Sequence, residues 1–91
     1  MLLKITKSLL GKIEELFDAL DYQVRYEKGN FKGGNCVIRE DKVVVINKFF
    51  PFESQVNTLI EVLRTIPVDE NRLDKDQKLL LNQLRQIELK L

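Results

Sequence analysis

Apolar residues recur every three or four positions along the first twenty residues of the chain. Polar side chains fill the positions between them, and the apolar set is Ile5, Leu9, Ile13, Leu16, Phe17 and Leu20. This spacing places the apolar side chains on one face of a helix. We therefore predict an amphipathic helix over about residues 5–21. Thr6 and Ser8 are its candidate N-caps.

The pattern then changes to an alternation of apolar and polar residues. Tyr22, Val24 and Tyr26 alternate with polar side chains, which predicts a strand over about residues 22–28 with one exposed face. Two further strands are predicted over about 35–40 and 42–47, and the short polar turn between them indicates an antiparallel hairpin. The run "VVVI" at 43–46 is typical of a strand buried on both faces, and therefore central or covered.

The rest of the chain returns to helical spacing. Pro51 suits a helix start, and an apolar stripe follows it to Ile66, which predicts a helix over about 51–66. Asp74 and Gln77 have the spacing of a capping box, at the start of a final helix over about 74–90. The order α-β-β-β-α-α predicts one α+β domain over residues 1–91, with a three-stranded antiparallel sheet packed against helices.

The composition removes most catalytic chemistry, because the chain has no histidine. Ser-His-Asp and Cys-His catalysis, and zinc sites that need histidine, are therefore excluded. Cys36 is the only cysteine, and we interpret it as a small buried hydrophobe, since no neighbouring base is visible to activate it. We expect a protein that is not an enzyme and has no catalytic, cofactor-binding or metal-binding residues. The alternative enzyme would be built on carboxylates, with Glu61 on the second predicted helix as its candidate.

Charge and hydropathy bear on the partners and the compartment. Fifteen Lys and Arg oppose fourteen Asp and Glu, a net charge of +1 that gives no general reason for nucleic-acid binding. Residues 22–48 hold six basic and three acidic side chains, so weak nucleic-acid binding through the basic strand region stays open as an alternative. Lysines interrupt the N-terminal apolar runs, and no apolar stretch is long enough to span a bilayer. We expect a soluble, cytoplasmic protein with no membrane partner.

The stretch "KGNFKGGNC" at 28–36 is rich in glycine and asparagine. Its spacing matches neither the Walker loop nor the dinucleotide-binding fingerprint, and a strand rather than a helix follows it. We interpret it as a turn that needs positive φ angles. Phe31 and Lys32 at its tip are the candidates for a recognition role.

Residues 43–63, "VVVINKFFPFESQVNTLIEVL", resemble the core of ImmA/IrrE-type zinc metallopeptidase domains. The likeness covers about residues 1–66 and implies a minimal zincin-like layout. In that family the helix continues into HExxH, whereas the equivalent positions here hold Glu61, Val62 and Thr65. The resemblance therefore implies no peptidase activity. It leaves a degenerate zincin-like peptide-binding or regulatory module as an alternative function.

A second resemblance is to a group of small uncharacterised bacterial proteins. They share an F-x-GG-x-C loop, a VVxN strand and a P-x-E-x-Q helix start, as residues 31–36, 44–47 and 51–55 do here. This likeness covers most of the chain. It implies the same order of elements and brings no activity with it.

Surplus apolar residues favour a protein that acts through protein–protein association. Leu73, Leu80 and Ile87 repeat every seven residues, which is typical of a helix that packs on another helix. We therefore predict a protein partner, with a homodimer through the C-terminal helix as one form. The candidate interaction surface consists of the aromatic, apolar and basic residues that the predicted core does not need: Phe31, Lys32, Phe49, Phe50, Leu79 and Leu89.

Overall fold

The computed structural model describes residues 5–28, 36–39 and 42–86. Three helices and three strands follow one another within these ranges. They are α1 (Lys7–Ala19), β1 (Gln23–Glu27), β2 (Cys36–Arg39), β3 (Val43–Asn47), α2 (Phe52–Thr65) and α3 (Lys75–Gln86), with a short 3-10 helix at Glu70–Arg72 before α3.

The three strands form one mixed sheet in the order β1-β3-β2. β1 runs parallel to β3, with Gln23 opposite Val43 and Glu27 opposite Asn47. β2 runs antiparallel to β3, with Cys36 opposite Ile46. The predicted three-stranded antiparallel sheet is therefore wrong, although the chain is α+β and the β2–β3 hairpin is confirmed. The physical reason is the central position of β3, which lies between β1 and β2, so that β1 and β2 do not pair with each other. β2 runs antiparallel to β3, and β1, on the other side of β3, runs parallel to it.

The side chains of β3 explain its central position. Val44 and Ile46 are fully buried against the helices, and Val45 on the opposite face of the sheet is only 2% exposed. Neighbouring strands on both edges also satisfy its backbone groups, as is typical of a strand whose side chains are buried on both faces. The prediction that this strand is central or covered is confirmed.

The main core lies between the sheet and the three helices. It combines Val44 and Ile46 with one buried stripe from each helix: Leu9, Ile13, Leu16, Phe17 and Leu20 at α1, Val56, Leu59, Ile60, Val62 and Leu63 in α2, and Leu81 and Leu84 in α3. These stripes agree with the spacing of three and four residues in the sequence. Burial of this apolar surface is the main force that holds the helices on the sheet.

Hydrogen bonds at the helix ends fix where α1 begins and ends. The Thr6 hydroxyl oxygen accepts a bond from the Leu9 amide at 3.1 Å, so Thr6 is the N-cap. At the other end the amide of Tyr22 donates to the carbonyl of Phe17 at 2.8 Å, and that of Asp21 to Asp18 at 3.0 Å. This is a Schellman motif, in which Asp21 adopts the left-handed conformation with a φ of 69°.

The start of α3 shows the predicted capping box. The amide of Gln77 donates to Oδ1 of Asp74 at 2.8 Å, and the amide of Asp74 donates to Oε1 of Gln77 at 3.0 Å. Each side chain satisfies one amide that the helix itself leaves without a partner. The capping-box prediction is confirmed.

Among residues 5–28, 36–39 and 42–86, no helix combines the length and the apolar character that a membrane crossing requires.

Candidate functional site

The turn between β3 and α2 carries two exposed aromatic side chains. Phe49 is 67% exposed and Phe50 is 36% exposed, although both follow directly after a buried strand. Within the described ranges, Leu79 is the one other large hydrophobic residue that is exposed. We call residues 47–51 the aromatic turn.

The side chain of Gln55, in the first turns of α2, holds the backbone of the aromatic turn. Its amide Nε2 donates to the carbonyl oxygens of Lys48 and Phe50, each at 3.1 Å, and lies 3.4 Å from that of Asn47. A glutamine amide has two N–H donors, so two short bonds use its full capacity and the longer contact shares a hydrogen. One side chain thus contacts the backbone of three residues of the turn.

Asn47 holds the turn from its other end. Its Oδ1 accepts a bond from the amide of Phe49 at 3.0 Å, and its carbonyl accepts one from the amide of Phe50 at 3.1 Å. Such an Asx turn fixes the backbone locally. Together, Asn47 and Gln55 give Phe49 and Phe50 a defined backbone conformation, although neither ring is in the core.

Lys48 places a positive charge at the aromatic turn and connects it to the sheet. Its Nζ lies 5.4 Å from the centre of the Phe49 ring, within the range of a cation–π contact. Its amide donates to the carbonyl of Glu27 at 3.1 Å, which continues the parallel pairing of β1 and β3. The exposed surface of the turn is therefore apolar with a basic rim.

The remaining residues of the predicted interaction surface do not join this turn. Leu79 lies on α3, is 55% exposed and lines a groove of about 490 Å³ between α1 and α3 whose lining includes neither Phe49 nor Phe50. Phe31, Lys32 and Leu89 lie outside the described residues. The structure therefore brings together Phe49 and Phe50 from that predicted set.

The seven-residue repeat at the C-terminal end is partly used inside the chain. Leu73 is buried in the chain's own core and Leu80 packs against it, half-buried. Ile87 lies outside the described residues. Leu79, which is off the repeat, is the exposed leucine of α3.

Glu61 is exposed and does not line the groove between α1 and α3. Its Oε2 lies 4.0 Å from Nη1 of Arg64, one turn along α2. Within residues 5–28 and 42–86 no polar or charged side chain is buried, and no group of three or more His, Cys, Asp or Glu residues is placed to hold a metal ion. Thr65 is likewise exposed, with its hydroxyl donating to the carbonyl of Val62 at 2.9 Å.

Cys36 begins β2, with its Cα opposite that of Ile46. The prediction that its thiol is a small buried hydrophobe concerns a side chain outside the described part of the chain.

Sequence reasoning selected Phe49 and Phe50 and missed Gln55. A signal was present in the spacing, because Gln55 lies five residues after Phe50. This places it in the first turn of α2, from which a side chain can reach back to the preceding loop. The amide of Gln55 indeed donates to the carbonyl of Pro51 at 3.0 Å, so helical geometry is already established there.

Comparison of the chain with protein-family models, with curated proteins and with solved structures found no match. The two family resemblances therefore stay predictions.

Proposed function

We propose that the chain is a non-catalytic protein-binding domain, and that its aromatic turn inserts Phe49 and Phe50 into an apolar pocket of a partner protein. The observation that carries this proposal is the set of bonds from the Gln55 amide to the turn. They hold a segment whose most prominent side chain, Phe49, is 67% exposed.

The exposed aromatic surface supplies the driving force for binding, because a partner would remove it from water. Full burial of a phenylalanine side chain contributes about 1.5–3 kcal/mol relative to an exposed one. Aromatic side chains are also the type of anchor that dominates protein–protein affinity. Phe49 and Phe50 both lie outside the core cluster.

The fixed backbone lowers the cost of association. Ordering the backbone of a flexible residue costs roughly 1–2 kcal/mol. Asn47 and Gln55 impose this order when the chain folds, so a partner does not have to impose it on binding. The turn is therefore prepared for recognition before it meets the partner.

The positive charge of Lys48 indicates which charge the rim of the partner's pocket carries. Lys48 lies against the Phe49 ring and is exposed. A pocket with an apolar floor and carboxylates at its rim would satisfy both features, and the electrostatic match would mainly raise the association rate.

Affinity purification from the native cell, followed by binding measurements with the purified partner, tests the proposal. The variant F49A/F50A removes both anchors, and L79A is the matched control because Leu79 is also exposed, on a different surface. We expect F49A/F50A to weaken binding by at least about tenfold, which corresponds to about 1.4 kcal/mol, and L79A to bind as the unmodified chain does. Equal binding by F49A/F50A and the unmodified chain would contradict the proposal.

A further inference from the structure

The outer edge of β1 has backbone groups without partners in the described part of the chain. The amide of Gln23 donates to Lys42 at 2.9 Å and the carbonyl of Glu27 accepts from Lys48 at 3.1 Å, so both residues direct their backbone groups to β3. In a parallel pair this alternates, and Val24 and Tyr26 direct theirs away from β3. Among the described residues no strand lies beyond β1, and no backbone bond involves these outward groups.

Such an edge accepts a specific kind of partner. Val24 and Tyr26 each present one N–H and one C=O, spaced by two residues along an extended strand. Another extended strand satisfies all four groups at once, which is the basis of recognition by strand addition. The side chains of Val24 and Tyr26 are half-buried towards the helices, so the edge itself offers mainly backbone.

The charges on β1 indicate which strand fits. Arg25 and Glu27 share the face of the sheet that the helices do not cover, with their side chains 54% and 41% exposed. They are adjacent on that face, with Nε of Arg25 at 3.0 Å from Oε2 of Glu27. A strand that carries opposite charges at two successive positions of one face is complementary to its own reverse.

Three antiparallel registers let the outward groups of two β1 strands bond to each other. The register centred on Tyr26 places Arg25 of each copy opposite Glu27 of the second copy. The register centred on Arg25 places two arginines opposite each other, and the register centred on Val24 places Glu27 opposite Asp21. Because like charges directly opposite each other destabilise a strand pair, the register centred on Tyr26 is the favourable one.

We propose that β1 pairs edge to edge with β1 of a second copy of this chain, antiparallel and centred on Tyr26, to form a continuous six-stranded sheet. This interface is separate from the aromatic turn, and neither depends on the other. It also differs from the predicted homodimer through the C-terminal helix.

Charge reversal at the edge tests the proposal by analytical ultracentrifugation over a concentration series. The unmodified chain forms a dimer, whereas R25E and E27R each shift to monomer, with the dissociation constant raised about tenfold because two favourable pairs become two like-charge pairs. The double reversal R25E/E27R restores the dimer. An equimolar mixture of R25E with E27R also forms a dimer, because an acidic edge then meets a basic one.

Amide hydrogen exchange locates the interface. We expect the Val24 and Tyr26 amides to become protected as the dimer forms, since both N–H groups then donate to the second strand. A strict monomer at every concentration, a dimer with unprotected Val24 and Tyr26 amides, or a mixture of R25E and E27R that stays monomeric would each overturn the proposal. None of these results affects the aromatic turn, which the F49A/F50A comparison tests separately.

Discussion

The hydroxyl of Tyr26 donates a hydrogen bond to Oε2 of Glu14 at 2.7 Å, and this bond joins β1 to α1. Tyr26 lies on the helix-facing side of β1, partly buried beside the core. Burial raises the pKa of the Tyr26 hydroxyl well above its usual range, and the hydrogen bond to Glu14 and the negative charge of that carboxylate raise it further. The bond therefore requires that Tyr26 keep its proton.

Replacement of Tyr26 by phenylalanine should change how stability depends on pH. A tyrosine pKa that is higher in the folded than in the unfolded state stabilises the fold fully below about pH 10, the pKa of an unperturbed tyrosine. This contribution falls as the pH rises above that value, because the unfolded chain then releases the proton first. We expect Y26F to lose about 1 kcal/mol at neutral pH and to show a smaller loss of stability above pH 10. Urea unfolding over a pH series measures both.

The quantity to compare is the difference in free energy of unfolding between Y26F and the unmodified chain. The titration of the lysines contributes to both proteins and cancels in this difference. Parallel stability curves for Y26F and the unmodified chain above about pH 10 would contradict the coupling. E14A provides a further check, since it removes the acceptor and should reduce the cost of Y26F in a double-mutant cycle.

Glycine in place of Asp21 should stabilise the protein. Asp21 adopts a φ of 69° at the end of α1, a conformation that glycine adopts without the steric cost of a Cβ. We expect D21G to raise the free energy of unfolding by about 0.5–1 kcal/mol. Thermal and urea denaturation measure the change.

The matched control places the same type of change inside the helix. Glu15 is exposed in the middle of α1, where glycine costs about 1 kcal/mol relative to good helix-forming residues. E15G should therefore destabilise the chain. Destabilisation by D21G as well as by E15G would contradict the prediction that the positive φ of Asp21 carries a steric cost.

Replacement of Gln55 by glutamate should loosen the aromatic turn without removing its aromatic side chains. A carboxylate cannot donate to the carbonyls of Lys48 and Phe50, and it would face them with a negative charge. We expect faster amide exchange at Phe49 and Phe50 and a loss of stability of about 1 kcal/mol. Partner binding should weaken although both rings remain.

Asn82→Asp serves as the control for this change, because it also converts an amide to an acid at an exposed position, on α3. Unchanged exchange at Phe49 and Phe50 in Q55E would show that Asn47 alone holds the turn.

Two leucines of α3 should respond differently to truncation. Leu84 is fully buried, so L84A should cost about 2–5 kcal/mol, whereas Leu79 is exposed and L79A should change stability by less than about 0.5 kcal/mol. Denaturation of both variants measures this contrast. A large loss in L79A at every protein concentration would place Leu79 in the folded core, and a loss only at high concentration would place it in an interface.

The helices were accessible from the sequence because their signals are local. Ile13, Leu16 and Phe17 of the predicted stripe are fully buried, and the caps at Thr6 and Asp74 lie within three residues of the amides that they satisfy. Each of these features depends on a few neighbouring residues, so the sequence of one chain is enough to predict it.

The order of the strands was not accessible in the same way, although one clue was present. The run from Val43 to Ile46 predicted a strand that is central or covered, and the structure places it at the centre. If β3 lies between β1 and β2 and forms a hairpin with β2, a short connection from β1 to β2 makes β1 parallel to β3. The antiparallel prediction instead paired strands by their order in the sequence, which is a tendency and not a rule.

The candidate site was accessible only in part. The surplus of aromatic residues indicated Phe49 and Phe50, because composition alone shows that a small core does not need them. The contacts of Gln55 depend on how α2 is placed on the sheet, and that placement depends on a core shared by residues far apart in the sequence, among them Val44 and Leu59. The pairing of Tyr26 with Glu14 is similarly long-range, because the two residues lie twelve positions apart in the sequence.

The central position of β3 also determines when the sheet can form during synthesis of the chain. β1 and β2 emerge first, yet among the described residues the strand that each pairs with in this chain is β3. Until Asn47 has left the ribosome, neither earlier strand has its hydrogen-bonding partner. The sheet that these three strands form in the described part of the chain therefore cannot be completed before β3, its last strand, has been synthesised.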